Sequence, residues 1–206
     1  MYLDLARIGS AITRWSPYPY FVVVGALFAD AGIEAANAFP RVGRLGAVAV
    51  EQTSYGPPFE QLLQELRGER FRNILAEKLD IDLEGKSTVI TVRGKTRVTD
   101  GNIHTDKPSK LVTVLLYFNE PHQASVSGLR ILNGPRSIDD FVEEIPPLLG
   151  TMVAFKVTPN GWHGHRPFVG ERHSLQLNYL SGVRTTGKHQ FARRLVGHLR
   201  RRLAEG

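Results

Sequence analysis

His104, Thr105 and Asp106 put an imidazole and a carboxylate two positions apart. Extended chain alternates its side chains with period two, so both groups project from one face and can reach a single point. Together they make two-thirds of a metal site. The third ligand has to come from elsewhere, and the chain has no Cys, which restricts the choice to imidazole and carboxylate donors. Trp162-His163-Gly164-His165-Arg166-Pro167, a Trp- and Gly-flanked turn ahead of a strand-like run, offers His163 or, with the same parity, His165. His173, in Arg172-His173-Ser174-Leu175-Gln176, reads as a strand-surface residue. Two His and one carboxylate on one face leave coordination positions open, the arrangement suited to non-haem Fe(II) chemistry with O2.

Such ligands need strands to hold them. Runs rich in Thr, Val and Ile predict strands over 87–93 and 111–118, on either side of the 104–106 segment, and short strands separated by Gly and Pro recur as far as Leu180. Upstream, 1–14 reads as a short helix stopped by Pro17 and Pro19, and 20–28 as a buried strand. Asp30 can cap a helix running to Phe39, and 47–50 is a second apolar run after a turn at Gly43 and Gly46. Phe59, Leu62, Leu63, Leu66, Phe71, Ile74, Leu75 and Leu79 keep a helical period broken near Gly68, which predicts two helical pieces packed on one face of a sheet. Pro135, Pro146, Pro147 and Pro159 punctuate the second half, so 133–149 reads as a surface excursion with a short helix over 137–141. Over 187–204, Phe191, Leu195, Leu199 and Leu203 form an apolar stripe beneath a basic face, as in a terminal helix that docks on the domain. Helices first and short strands afterwards give a mainly β fold with N-terminal helices, a sandwich or barrel.

The 206 residues suit one domain, and an apolar fraction of 42% is ordinary for a globular chain. The net charge of +6 comes largely from the C-terminal cluster Arg193, Arg194, Arg200, Arg201 and Arg202. The remainder is near neutral, and nucleic acid is not expected as a partner. No basic region followed by a long apolar run stands at the N-terminus, and no stretch approaches the length of a membrane span. A cytoplasmic location is therefore expected, in keeping with the absence of Cys. Oligomeric state leaves no trace in the sequence.

Several features in order resemble the 2-oxoglutarate and Fe(II)-dependent dioxygenases, most of all their prolyl-hydroxylase-like branch. His104-Thr105-Asp106 resembles that family's HxD, and Val112-Thr113-Val114-Leu115-Leu116-Tyr117-Phe118-Asn119 the strand after it. Gly128-Leu129-Arg130-Ile131 and Gly150-Thr151-Met152-Val153-Ala154-Phe155 resemble the strands that lead to the distal His. Pro167 and Arg172 follow His163 at the spacing of the prolyl-hydroxylase type. The resemblance implies a double-stranded β-helix, or jelly roll. It would be a single domain over 1–206, with helical support over 1–85, the jelly-roll core over 86–182 and a C-terminal helix over 187–204.

The same resemblance implies roles for individual residues. His104, Asp106 and His163 would hold Fe(II), and Arg172 would pair with the far carboxylate of 2-oxoglutarate, helped by Ser174 and Tyr117. A planar guanidinium suits bidentate recognition of a carboxylate. Outside the resemblance, His165 reads as a second-layer or substrate-facing residue, and Arg93 and Arg97, just before the 104–106 segment, as solvated strand charges rather than residues facing the mouth of the barrel. The implied reaction hydroxylates a C–H bond of a small-molecule or peptide substrate with O2, releasing succinate and CO2. Ascorbate would be an in vitro addition. Asp106 argues against halogenation, because family halogenases lack that carboxylate. Two rival readings remain, a non-catalytic sensor of 2-oxoglutarate and metal and a cupin-like metal-dependent isomerase. Release of succinate from 2-oxoglutarate separates both from an oxygenase.

Overall fold

The computed structural model describes residues 1–120 and 128–183. The expected helix over 187–204, with its arginine cluster, lies outside these residues, as do His122, His189 and His198. Four helices, α1 (Leu5–Ser10), α2 (Ala29–Asn37), α3 (Pro57–Leu66) and α4 (Glu69–Leu79), precede most of the strands. The strands are β1 (Tyr20–Val23), β2 (Val48–Ala49), β3 (Lys86–Thr96), β4 (Lys110–Tyr117), β5 (Leu129–Leu132), β6 (Phe141–Ile145), β7 (Met152–Lys156), β8 (His163–Gly164) and β9 (Gly170–Val183). They form a six-stranded sheet in the order β1-β7-β4-β9-β3-β2 and a three-stranded sheet in the order β6-β5-β8. All ladder pairings are antiparallel. This is the jelly roll with N-terminal helices that the resemblance implied.

Period-two alternation gives the large sheet two unlike faces. Ile90, Val92, Val112, Val114, Leu116, Met152, Ala154, Leu175 and Leu177 face outward into a core completed by Phe59, Leu62, Leu63, Leu66, Phe71, Leu75 and Leu79 of the helices. Gly68 separates α3 from α4 as the N-cap of the second helix, so both helices bring an apolar stripe to the same sheet face. The intervening residues face the small sheet. Val153 and Phe155 there join Tyr18, Tyr20, Tyr117, Leu129, Ile131 and Ile145 in a second, smaller core.

Four local expectations are corrected. No helix forms over 137–141. The Ser137 hydroxyl accepts from Asp139 N–H, and Arg130 captures the Ile138 carbonyl and the Asp139 carboxylate, which fixes an irregular turn instead. The supposed excursion over 133–149 contains β6, an edge strand paired with β5. Finally, Asp30 is not the cap of α2. Phe28 occupies that position, and Asp30 sits in the first turn, where its charge complements the helix dipole. The strand expected over 20–28 is also shorter, because the chain turns at Gly25 with φ +73°.

Candidate metal centre and co-substrate cavity

His104 and His163 sit directly opposite each other on antiparallel chains, each backbone N–H donating to the other's carbonyl at 3.0 Å. The segment carrying His104 thereby extends the small sheet beyond β8. Opposed residues of such a pair project to the same side, and their ring centroids are 4.3 Å apart. Asp106 lies two positions beyond His104, as the alternation requires. One potential ligand atom from each of His104, Asp106 and His163 lies within 4.8 Å of the others.

The imidazole tautomers are set by the backbone. Nδ1 of His104 donates to the Asn102 carbonyl at 2.7 Å, and Nδ1 of His163 to the Gly161 carbonyl at 2.9 Å. A carbonyl only accepts, so each ring commits its Nδ1 proton to the backbone and leaves Nε2 as the nitrogen available to a metal. His163 is buried against Phe155, with centroids 4.8 Å apart. Burial, and then the neighbouring His104, lower its pKa from 6.5 to about 4, which keeps it neutral at physiological pH.

Burial alone pushes the Asp106 carboxyl up. Hydrogen bonds from Lys110 and Thr113, together with the Lys110 charge, outweigh burial and hold it below the usual carboxylate range. Lys110 Nζ is 2.7 Å from Oδ1, and the Thr113 hydroxyl donates to Oδ2 at 2.5 Å. Thr113 in turn accepts from Asn178 Nδ2 at 2.7 Å, and Asn178 Oδ1 accepts from Gln176 Nε2 at 3.1 Å. Asp106 is thus ionised and oriented by a polar chain that starts two strands away.

These groups line a cavity of about 240 Å³ between the sheets, together with Tyr117, Arg172, Ser174, Gln176, Arg93 and His165. Arg172 is 3% exposed, with its guanidinium carbon 5.5 Å from the centre of the Tyr117 ring. Ser174 pairs across the ladders with Tyr117 on one side and Arg93 on the other. All six residues singled out in the sequence therefore meet in one cavity. His165 lines the same cavity but stands outside the three-residue ligand group. Its ring lies on Gly101, where φ is +91° and an added Cβ would stand 2.4 Å from the imidazole, so this packing requires glycine. Burial, then the Arg172 charge, lower the His165 pKa to about 4. His173 is excluded from the cavity, as expected. It stacks on Phe39 on the outer face of the sheet.

Arg93 corrects an expectation. It is half-buried in the cavity wall, 2.5 Å from Asp100, which also accepts from Arg97 N–H at 2.9 Å. Arg97 is exposed, as a solvated charge should be. Lys110, Thr113, Gln176 and Asn178 were missed. The polar series Arg172, Ser174, Gln176, Asn178 at alternate positions of an otherwise apolar strand was the available signal for two of them.

Residues 95–180 match the 2OG-Fe(II) oxygenase superfamily. That stretch contains every ligand and co-substrate candidate named above, and the family it matches consists of oxygenases that take Fe(II) and 2-oxoglutarate. Among solved structures, a Pseudomonas putida prolyl-4-hydroxylase aligns over 91% of this chain and 97% of its own at 18% identity, with a TM-score of 0.59. A viral collagen prolyl hydroxylase from Paramecium Bursaria Chlorella virus-1, in its 2OG complex, aligns over 79% and 96% at 14% identity and a TM-score of 0.52. A Trichoplax adhaerens prolyl hydroxylase in complex with a hypoxia inducible factor peptide fragment aligns over 78% and 83% at 14% identity, also at 0.52. At these identities the likeness is one of fold. No curated protein matches the chain. No helix among the described residues is long and apolar enough to cross a membrane.

Proposed function

We propose that this chain is a single-domain hydroxylase in which His104, Asp106 and His163 hold Fe(II) and Arg172 anchors 2-oxoglutarate. The observation that carries the reading is the convergence of a backbone-oriented His pair, an ionised carboxylate and a buried guanidinium on one cavity. Two imidazole nitrogens and one carboxylate oxygen match the ligand set of non-haem iron, so the residues present fit the group. When bound, the iron supplies the site at which O2 and the 2-oxo acid meet. One oxygen atom then passes into succinate, with loss of CO2, and the other into a hydroxyl on the substrate.

The chain's own residues contribute placement. Arg172, with the Ser174 hydroxyl and Tyr117 beside it, receives the far carboxylate. Thr113 and Lys110 keep the Asp106 carboxylate ionised and aimed. Phe155 and the aromatic cluster behind His163 exclude water from that side of the site. The substrate carbon would enter past His165 and Arg93, which line the cavity apart from the ligand group. Incubation with Fe(II), O2 and 2-oxoglutarate tests the reading. Succinate formation that is lost in Asp106→Ala supports it, and the absence of succinate under all conditions would return the chain to the sensor or isomerase readings.

A further inference from the structure

The outer side of the large sheet carries a second cavity, of about 390 Å³, lined among others by Glu51, Arg67, Arg72, Lys86, Ser87 and Tyr179. Tyr179 is 2% exposed, and its hydroxyl has no hydrogen-bond partner among the described residues. A buried donor left without an acceptor is costly, and native structures rarely keep one without a ligand or water to satisfy it. Burial, opposed by the Arg72 charge, raises its pKa to about 12, so it stays a protonated donor.

The charges around it are predominantly positive. Arg67 is balanced by Glu51 at 2.8 Å. Among the described residues Arg72 forms one ion pair, with Glu69 3.5 Å away and 75% exposed, where solvent screens it, and it donates to the Asn73 side-chain oxygen at 3.3 Å. Lys86 has no ion-pair partner among the described residues. Guanidinium, ammonium and phenol together call for a ligand rich in acceptor oxygens and bearing negative charge.

We propose that this cavity binds a phosphate group, free or carried by a small phosphorylated metabolite. A tetrahedral dianion meets Arg72, Lys86 and the Tyr179 hydroxyl at once, and the volume falls in the range of small-ligand sites. The site is separate from the metal centre, since Tyr179 faces the helices while its neighbour Asn178 faces the inner cavity.

Calorimetric titration of metal-free protein at constant ionic strength tests this, with sodium phosphate, glucose 6-phosphate and glucose as probes. The expected result is saturable one-site binding of a phosphate-bearing probe, none with glucose, and affinity at least about tenfold weaker in Arg72→Gln and Lys86→Gln. Tyr179→Phe should also weaken binding while leaving the ligand-free melting temperature unchanged or higher, because it removes the unsatisfied hydroxyl. Tighter binding of glucose 6-phosphate than of phosphate identifies a metabolite site, and the reverse identifies a free-phosphate site. No saturable heat, equal heat from sodium chloride, or equal affinity in all three variants overturns the proposal. So does loss of binding in Arg172→Leu, which would assign the heat to the inner cavity.

Discussion

Strand β9 presents Leu175, Leu177 and Tyr179 to the helices and Arg172, Ser174, Gln176 and Asn178 to the inner cavity. β4 does the same, with Val112, Val114 and Leu116 outward and Thr113, Leu115 and Tyr117 inward. The outer face is apolar and closely packed against α3 and α4, and it supplies most of the burial that stabilises the fold. The inner face keeps polar groups out of water at a cost, offset by hydrogen bonds to one another. Alternate residues of the same strands therefore divide the work. The helices hold the sheet rigid from behind, which frees the inner residues to be chosen for chemistry.

That division can be broken from either side. The largest expected effect is on the inner face, where His163→Ala or Asp106→Ala should abolish Fe(II)-dependent turnover while circular dichroism and melting temperature stay close to wild type. Full activity in both variants would remove the metal assignment. His165→Ala should keep metal binding, since that ring stands outside the ligand group.

On the outer face the expectation reverses. Phe59 is fully buried among Phe39, Tyr55 and Phe118, and Phe59→Ala should cost about 3–5 kcal/mol of stability. The folded fraction should still bind metal with wild-type affinity, as measured by titration well below the melting temperature. A large loss of metal affinity there would show that the two faces are not separable.

A smaller effect sharpens the comparison. Thr113→Val keeps the shape but removes the hydroxyl that links Asn178 to Asp106. Loss of an outer-layer partner of a metal ligand should weaken metal affinity by about 10–100-fold. The inward neighbour Leu115 provides the control, because Leu115→Met conserves volume and removes no hydrogen bond of the polar chain.

A further effect is pH-dependent. His163 and His165 have folded-state pKa values near 4 against an ordinary 6.5. In the metal-free protein the unfolded chain therefore binds more protons than the folded chain between those values. Stability is fully present above pH 6.5 and falls progressively towards pH 4. Asp100 and Asp106, whose pKa values are lowered, contribute stability that is lost only as pH falls below their ordinary 3.8, so they do not mask this window. Urea midpoints at pH 7.5, 6 and 4.5 measure it, and a flat profile would contradict the buried neutral imidazoles.

Much of this architecture was legible because periodicity carries it. The stripe from Phe59 to Leu79 named both helices, and the Thr-, Val- and Ile-rich runs named β3 and β4. β6 was hidden because Phe141-Val142-Glu143-Glu144-Ile145 is an edge strand with exposed positions on both faces, placed between prolines. The grouping of His104, Asp106 and His163 could be read because spacing and parity are local properties. Its supports could not. Thr113 looks like any β-former in a Val- and Leu-rich strand, Lys110 like a solvated end charge, and Arg93 gives no sign of a partner seven residues on. Their roles depend on which strands become neighbours, and that is fixed only by tertiary pairing of β4 with β9 and of β9 with β3.

The claim that the inner face is built for Fe(II) and 2-oxoglutarate is tested most directly by anaerobic calorimetry of 2-oxoglutarate against the Fe(II)-loaded protein, wild type beside Arg172→Leu and Arg172→Lys. Removing the guanidinium leaves a buried carboxylate without its counter-ion, at a cost on the order of 3–5 kcal/mol, or roughly two to four decades in affinity. Arg172→Lys should fall between, since the ammonium keeps the charge and loses the fork. Fe(II) affinity should be nearly the same in all three. Equal 2-oxoglutarate affinity in wild type and Arg172→Leu would contradict the account.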